Sequence, residues 1–329
     1  MVRARQVRPR LSHLAAAALA GLLLASSAHA QVQAQAPVER RVAVTFDDLP
    51  YQASDAVLCD PEATLALTRD FLAMLAPLDS RATGFVNEGR VCDAARPALV
   101  AQVVTLWLDA GLPLGNHSFS HPDLGAMTAD QYLADVDRGA EITRPLVEAR
   151  GDRLVWFRHP FLKAGETPEK KAAVEAGLAE RGYRVATVTL DNNDWMYADL
   201  YRRAEAAGDD ALMRRLGEAY VAHMAEALDH YEPYSAEMNG GVEPPQVLLL
   251  HANALNRDWY PRIHDLFLRR GYAFVSLDEA QADPLYDRPD TYAGPNGISW
   301  LHRWRLTADE RPRYEPRPPA WVVEMYEAR

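Results

Sequence analysis

The chain has 329 residues with 35 basic against 46 acidic side chains, a formal net charge of −11. That length suits one α/β barrel with insertions better than a single sandwich or helical bundle. The negative field argues against nucleic acid and anionic lipid as partners.

Residues 1–30 begin with a basic head (Arg3, Arg5, Arg8, Arg10), continue through an apolar stretch from Leu14 to Leu24, and end on Ala28-His29-Ala30. This order predicts a secretory signal peptide, followed by a linker over 31–40. The apolar stretch is short of the roughly 20 residues needed to span a bilayer, so no stable membrane insertion is expected after cleavage. A periplasmic or secreted protein is the expectation. Cys59 and Cys92 each follow a predicted strand. In an oxidising compartment they can pair as an intrachain disulfide; two buried thiols are the other option.

The run Arg41-Val42-Ala43-Val44-Thr45-Phe46 reads as a buried strand that ends on Asp47-Asp48. A helix is expected from Pro61, and Thr83 to Val86 reads as the second strand. Arg96 to Ala110 reads as a helix and Leu112 to Asn116 as a strand leading into His117. Thr128 caps a helix expected to run to Ala149, and Leu154 to Phe157 is a strand entering Arg158-His159-Pro160-Phe161. Thr167-Pro168-Glu169 opens another helix that Gly182 closes. Tyr183 to Leu190 reads as a strand ending on Asp191, and Asp199 to His230 as an amphipathic helix. Val247 to Leu250 is an apolar strand ending on His251; a helix over Pro261–Arg269 and a strand over Tyr272–Ser276 complete the alternation. Strand-then-helix repetition of this length predicts a distorted parallel (β/α) barrel in a single domain over 41–282. The aromatic-rich segment 283–329 is expected to pack on that domain as an extension.

Asp47-Asp48, His117, Arg158, Asp191 and His251 all fall at or just past predicted strand ends. In a parallel barrel the carboxyl ends of the strands build the active site, so these chain-distant residues are expected to converge. His117 and His121, four residues apart, can turn both imidazoles toward one zinc at about 2.0–2.1 Å, with a carboxylate from another strand end as third ligand. Asp48 fits that place. Adjacent acids on an extended strand point to opposite sides, which frees Asp47 to take a proton instead.

With those residues in view, the chain resembles the polysaccharide deacetylases, the NodB-homology or carbohydrate esterase family 4 proteins. The resemblance rests on Thr45-Phe46-Asp47-Asp48, His117-Ser118-x-x-His121, Arg158-x-Pro160-Phe161, Asp191-Asn192-Asn193-Asp194-Trp195 and Leu248-Leu249-Leu250-His251, in that order. It implies a divalent metal cofactor, zinc above all, held by Asp48, His117 and His121. It also implies Asp47 as general base, His251 as general acid, Arg158 positioning Asp47, and Asp191 tuning His251. Pro160, Phe161, Trp195 and Leu249 are implied to line the substrate site. The implied reaction is removal of N-acetyl groups from an amino-sugar glycan such as peptidoglycan or chitin. Where the family has glycine after the two aspartates, Leu49 stands here, and the expectation is a narrowed or reshaped cleft beside Asp48. That departure keeps hydrolysis of a non-carbohydrate amide or imide as the alternative; a catalytically lost glycan-binding protein is the other.

Overall fold

In the computed structural model, residues 40–328 are described; the signal peptide and most of the linker expected at the amino end lie outside the described residues. Strand β1 (Arg40–Leu49) is buried from Val42 onward, because its β-branched and apolar residues are flanked by strands on both sides. The others are β2 (Thr83–Val86), β3 (Leu114–Asn116), β4 (Trp156–Phe157), β5 (Arg184–Val185), β6 (Gln246–His251) and β7 (Tyr272–Phe274). Their hydrogen-bonded order is β5-β4-β3-β2-β1-β6, with β7 added along the start of β1, and every pairing is parallel. Past β5 the chain crosses to the far side of the sheet, where Leu190 bridges Leu248 of β6. That bridge curls the sheet into a distorted parallel barrel, and helices cover its outside. Residues 40–328 fall within one compact unit.

Parallel register sets the height of the strand ends. Asp47 on β1 pairs directly with His251 on β6, while Asn116 on β3 pairs with Phe157 on β4. The residues that follow these ends, Asp48, His117 and Arg158, therefore begin their loops at one level of one rim.

Three expectations change in detail. The helix expected over Thr128–Ala149 is two, Ala129–Arg138 and Thr143–Glu148. A Cβ on Gly139 would stand 2.4 Å from the Ser118 carbonyl carbon, so the chain bends where it passes under the histidine turn. The buried Glu88 carboxylate then accepts the amides of Ile142 and Thr143, at 3.0 and 2.7 Å, at the start of the second helix. The strand expected over Tyr183–Leu190 is regular only at Arg184–Val185, because the Val188 carbonyl instead accepts the Trp300 amide at 2.8 Å. The long helix begins earlier than expected and is interrupted by Gly208 at φ 68°, giving Asp194–Ala207 and Asp210–Met238.

The segment after residue 282 contributes Trp300, Leu301, Trp304 and Val322 to the main apolar core. It includes the helices Trp300–Thr307 and Ala320–Glu327. Cys59 and Cys92 are joined as a disulfide with Cα atoms 4.9 Å apart, a normal span for such a bond. Among the described residues, no helix is long and apolar enough to cross a membrane.

Candidate active site

The site is built on unusual backbone. Asp48, Ser118, His121, Phe161 and Asn193 all have φ between 52° and 67°, a left-handed conformation that non-glycine residues hold only where their surroundings impose it. Around His117 and His121 those surroundings are polar and buried. The Asn116 side chain accepts the Ser118 amide at 2.7 Å and donates to the Val136 carbonyl at 2.8 Å. One oxygen of Asp135 accepts the amides of Phe119 and Ser120, both at 3.0 Å. Asn87 donates to the His117 carbonyl, and Ser118 Oγ accepts the His121 amide at 3.2 Å. A turn tied from so many sides places the two imidazoles 4.9 Å apart, centroid to centroid.

Asp48 Oδ1 lies 3.7 Å from His117 Nε2 and 3.6 Å from His121 Nε2. Tetrahedral bonds of about 2.0–2.1 Å set ligand atoms roughly 3.4 Å apart, so these spacings suit one zinc-sized cation. Asp48 Oδ1 is buried with no hydrogen-bond partner, which is costly for a carboxylate oxygen that serves no ligand. The tautomer agrees. His117 Nδ1 sits 2.8 Å from the Arg158 carbonyl; a carbonyl only accepts, so Nδ1 donates and Nε2 offers its lone pair to the cluster. Burial lowers both imidazoles to about 4, keeping them neutral. Asp48 is also buried, but Arg90 and the surrounding histidines outweigh the desolvation and hold it well below the usual carboxylate range. Its second oxygen accepts from Gln52 Nε2 at 2.7 Å and lies 3.6 Å from Arg90 Nη1. Neither Gln52 nor Arg90 stood out in the sequence. The residues present thus fit a divalent metal ion.

Asp47 faces different company. Its Oδ2 lies 3.4 Å from Arg158 Nη1 and 3.7 Å from His117 Nε2, and its Oδ1 is buried without a hydrogen-bond partner. Burial raises this carboxyl to about 6, against the opposing pull of Arg158 and His251. Arg158 is itself fully buried and fixed by three further contacts. Nε donates to the Ala186 carbonyl at 2.8 Å, Nη2 to Thr45 Oγ1 at 3.0 Å, and the guanidinium lies 4.7 Å from the centroid of the Phe85 ring. One residue therefore orients Asp47 through its side chain and His117 through its carbonyl.

The partner of His251 is a correction. The expectation was Asp191, but Asp194 Oδ1 is the atom 2.7 Å from His251 Nδ1. Asp191 Oδ1 instead accepts the Asn192 amide at 2.8 Å, a local turn contact. Asn193 then turns left-handed at φ 57°, and Asp194 enters the first turn of the next helix facing His251. Asp194 Oδ2 accepts the His251 amide at 2.9 Å and Asn256 Nδ2 at 2.8 Å. Tyr220 holds Asn256 in turn, at 2.9 Å. Burial pushes the His251 imidazole down, but Asp194, Asp48 and Asp47 outweigh it, and it rises to about 9.

The substrate-lining candidates are spread unevenly. Phe161 is 54% exposed, with its ring 4.4 Å from that of His121, and Trp195 is 39% exposed on the rim. Pro160 is buried in the turn that carries Phe161, and Leu249 is buried on β6 two residues before His251. Leu49 does not narrow the cleft. With Asp48 turned left-handed, the Leu49 side chain is fully buried in the core, where its Cδ2 would stand 2.7 Å from a Cβ on Gly84. The missing side chain at Gly84 is what makes room for it.

A parallel barrel with an Asp-His-His cluster on one rim, beside an aspartate and histidine paired across neighbouring strands, is the class that this fold and site define. Residues 34–186 match the family model described as polysaccharide deacetylase. A chitin deacetylase of Arthroderma benhamiae is 25% identical over 167 residues, which is 50% of this chain and 38% of that protein. A chitin deacetylase of Colletotrichum lindemuthianum is 27% identical over 187 residues, covering 55% and 66%. Each match thus spans less than two thirds of these relatives' length. Among solved structures, the family 4 carbohydrate esterase from Streptomyces lividans in complex with acetate aligns with a TM-score of 0.47 at 21% identity, covering 73% of this chain and 95% of that one.

Proposed function

We propose that this protein is an exported, divalent-metal-dependent hydrolase that removes N-acetyl groups from an amino-sugar glycan of the peptidoglycan or chitin kind. The observation that supports it most is the pairing of Asp47 with His251 on adjacent strand ends, beside the Asp48-His117-His121 cluster. The names of the two relatives, both chitin deacetylases, support a chitin-like glycan as substrate. Export follows from the signal-peptide pattern over 1–30, and a disulfide suits an oxidising compartment.

Asp48, His117 and His121 hold the ion, for which zinc fits the nitrogen-rich donor set. When bound, the ion supplies Lewis acidity toward the amide carbonyl and acidifies water. Asp47, oriented by Arg158, accepts a proton as the water oxygen bonds to the acetyl carbon. His251, cationic against Asp194, delivers its proton to the amide nitrogen as the C–N bond breaks. The products are acetate and a free amine. Phe161, Trp195, Leu249 and Pro160 shape the wall where the acetylated sugar lies, within a catalytic domain over 41–282.

Replacing Asp47 with asparagine tests the roles directly. The variant is expected to retain one divalent ion per chain and to lose acetate release from N-acetylated chito-oligosaccharides. Undiminished release would remove Asp47 as the base.

A further inference from the structure

Beside the metal cluster lies a cavity of about 260 Å³ whose wall includes Gln52, Arg90, Trp195, Arg202 and Tyr326. Two of these residues reach the centre itself, since Gln52 and Arg90 contact the second oxygen of Asp48. The far wall is supplied from the other end of the chain. The helix Ala320–Glu327 packs against the helix Asp194–Ala207, anchored by the fully buried Val322. That docking puts the half-buried Tyr326 ring 5.3 Å from Trp195, edge to face at 81°. A second contact holds the helix, with the Arg215 guanidinium 3.9 Å from the centroid of the Trp321 ring.

We propose that Trp195 and Tyr326 form a saccharide subsite adjoining the catalytic centre, in which the carboxyl-terminal helix helps select the glycan. The occupant is a pyranose ring next to the acetylated sugar. Apolar ring faces of a pyranose pack on aromatic side chains, while its hydroxyls accept from the amide of Gln52 and the guanidinium groups of Arg90 and Arg202. The cavity lies below the roughly 300–1,000 Å³ of sites for drug-sized ligands, which suits one sugar ring. The arrangement would make recognition depend on the length of the glycan as well as on the acetyl group. This inference rests on the glycan reading above, and it adds a residue, Tyr326, beyond the motif-bearing part of the chain.

Binding and turnover of tri-N-acetylchitotriose by the full chain, loaded with zinc, test it separately. Binding is followed by calorimetry and by tryptophan fluorescence in the wild type, Tyr326→Ala and Tyr326→Phe, with melting temperatures verifying that each variant folds. Loss of the ring is expected to weaken trisaccharide binding about tenfold. Tyr326→Phe should bind like the wild type, and N-acetylglucosamine should be bound equally by all three. Equal trisaccharide affinity in the wild type and Tyr326→Ala, or no binding by the wild type, overturns the subsite. Tyr326-dependent binding without acetate release would leave the subsite standing and overturn the deacetylase reading instead.

Discussion

Asp194 and His251 are joined twice: one carboxylate oxygen lies 2.7 Å from the imidazole Nδ1, and the other accepts the histidine's own backbone amide at 2.9 Å. This double tie fixes the ring and favours its cationic form. Replacing Asp194 with asparagine is therefore expected to pull the alkaline limb of the pH–rate profile downward by about one to two units. Asp191→Asn should leave that limb in place, because Asp191 serves the backbone turn. Initial rates of acetate release from pH 5 to 10 compare the two variants.

The same pair bears on stability. The His251 pKa is raised from 6.5 to about 9 in the folded chain. A raised histidine pKa stabilises the folded state fully below pH 6.5, and the gain is lost as pH rises through about 9. Metal-free wild type should consequently melt above metal-free Asp194→Asn near pH 6, and the part of this gap that comes from imidazolium should vanish by pH 10. A gap that does not change with pH would assign Asp194 a purely packing role.

Asp47 and His251 set opposite limbs of the activity profile. Activity needs Asp47 ionised, with a pKa of about 6, and His251 protonated, with one of about 9. A bound cation shifts both limbs toward lower pH while preserving their order. Loss of the base in Asp47→Asn should lower kcat by roughly 100- to 10,000-fold. Metal content, measured by elemental analysis, should remain at one ion per chain.

Metal affinity should fall as the solution is acidified toward pH 4, where protons compete for His117 and His121. His117→Ala should lose the ion at zinc concentrations that saturate the wild type. Equilibrium dialysis from about pH 3.5 to 7 reads both effects. Equal retention by His117→Ala would place the metal elsewhere.

The disulfide closes a separation of 33 residues between the segments that follow β1 and β2. Changing both cysteines to alanine should cost roughly 3–4 kcal/mol of unfolding free energy, by the loop-closure argument. Denaturant titration of the double variant measures it.

Much of this architecture was legible because a parallel barrel writes itself as short β-branched runs alternating with helices, and because its chemistry gathers at strand ends. Asp47, Asp48, His117, Arg158 and His251 could be brought to one rim by that rule, and the rim does hold them together. What stayed hidden depended on single backbone angles. Asn193 at φ 57° decides that Asp194 rather than Asp191 meets His251, and the left-handed turn at Asp48 sends Leu49 into the core. Periodicity does not encode such angles. The bend at Gly139 likewise follows from a close approach to Ser118, a tertiary contact 21 positions away. Tyr326 was beyond reach for a simpler reason, since only the folded chain brings its helix beside Trp195.

Acetate release from N-acetylated chito-oligosaccharides and peptidoglycan fragments, measured before chelation, after chelation and after zinc is restored, tests the central claim most directly. The account predicts release that disappears with the metal and returns with it. Release that survives complete removal of the metal, or none from any of these glycans by the zinc-loaded protein, would contradict it.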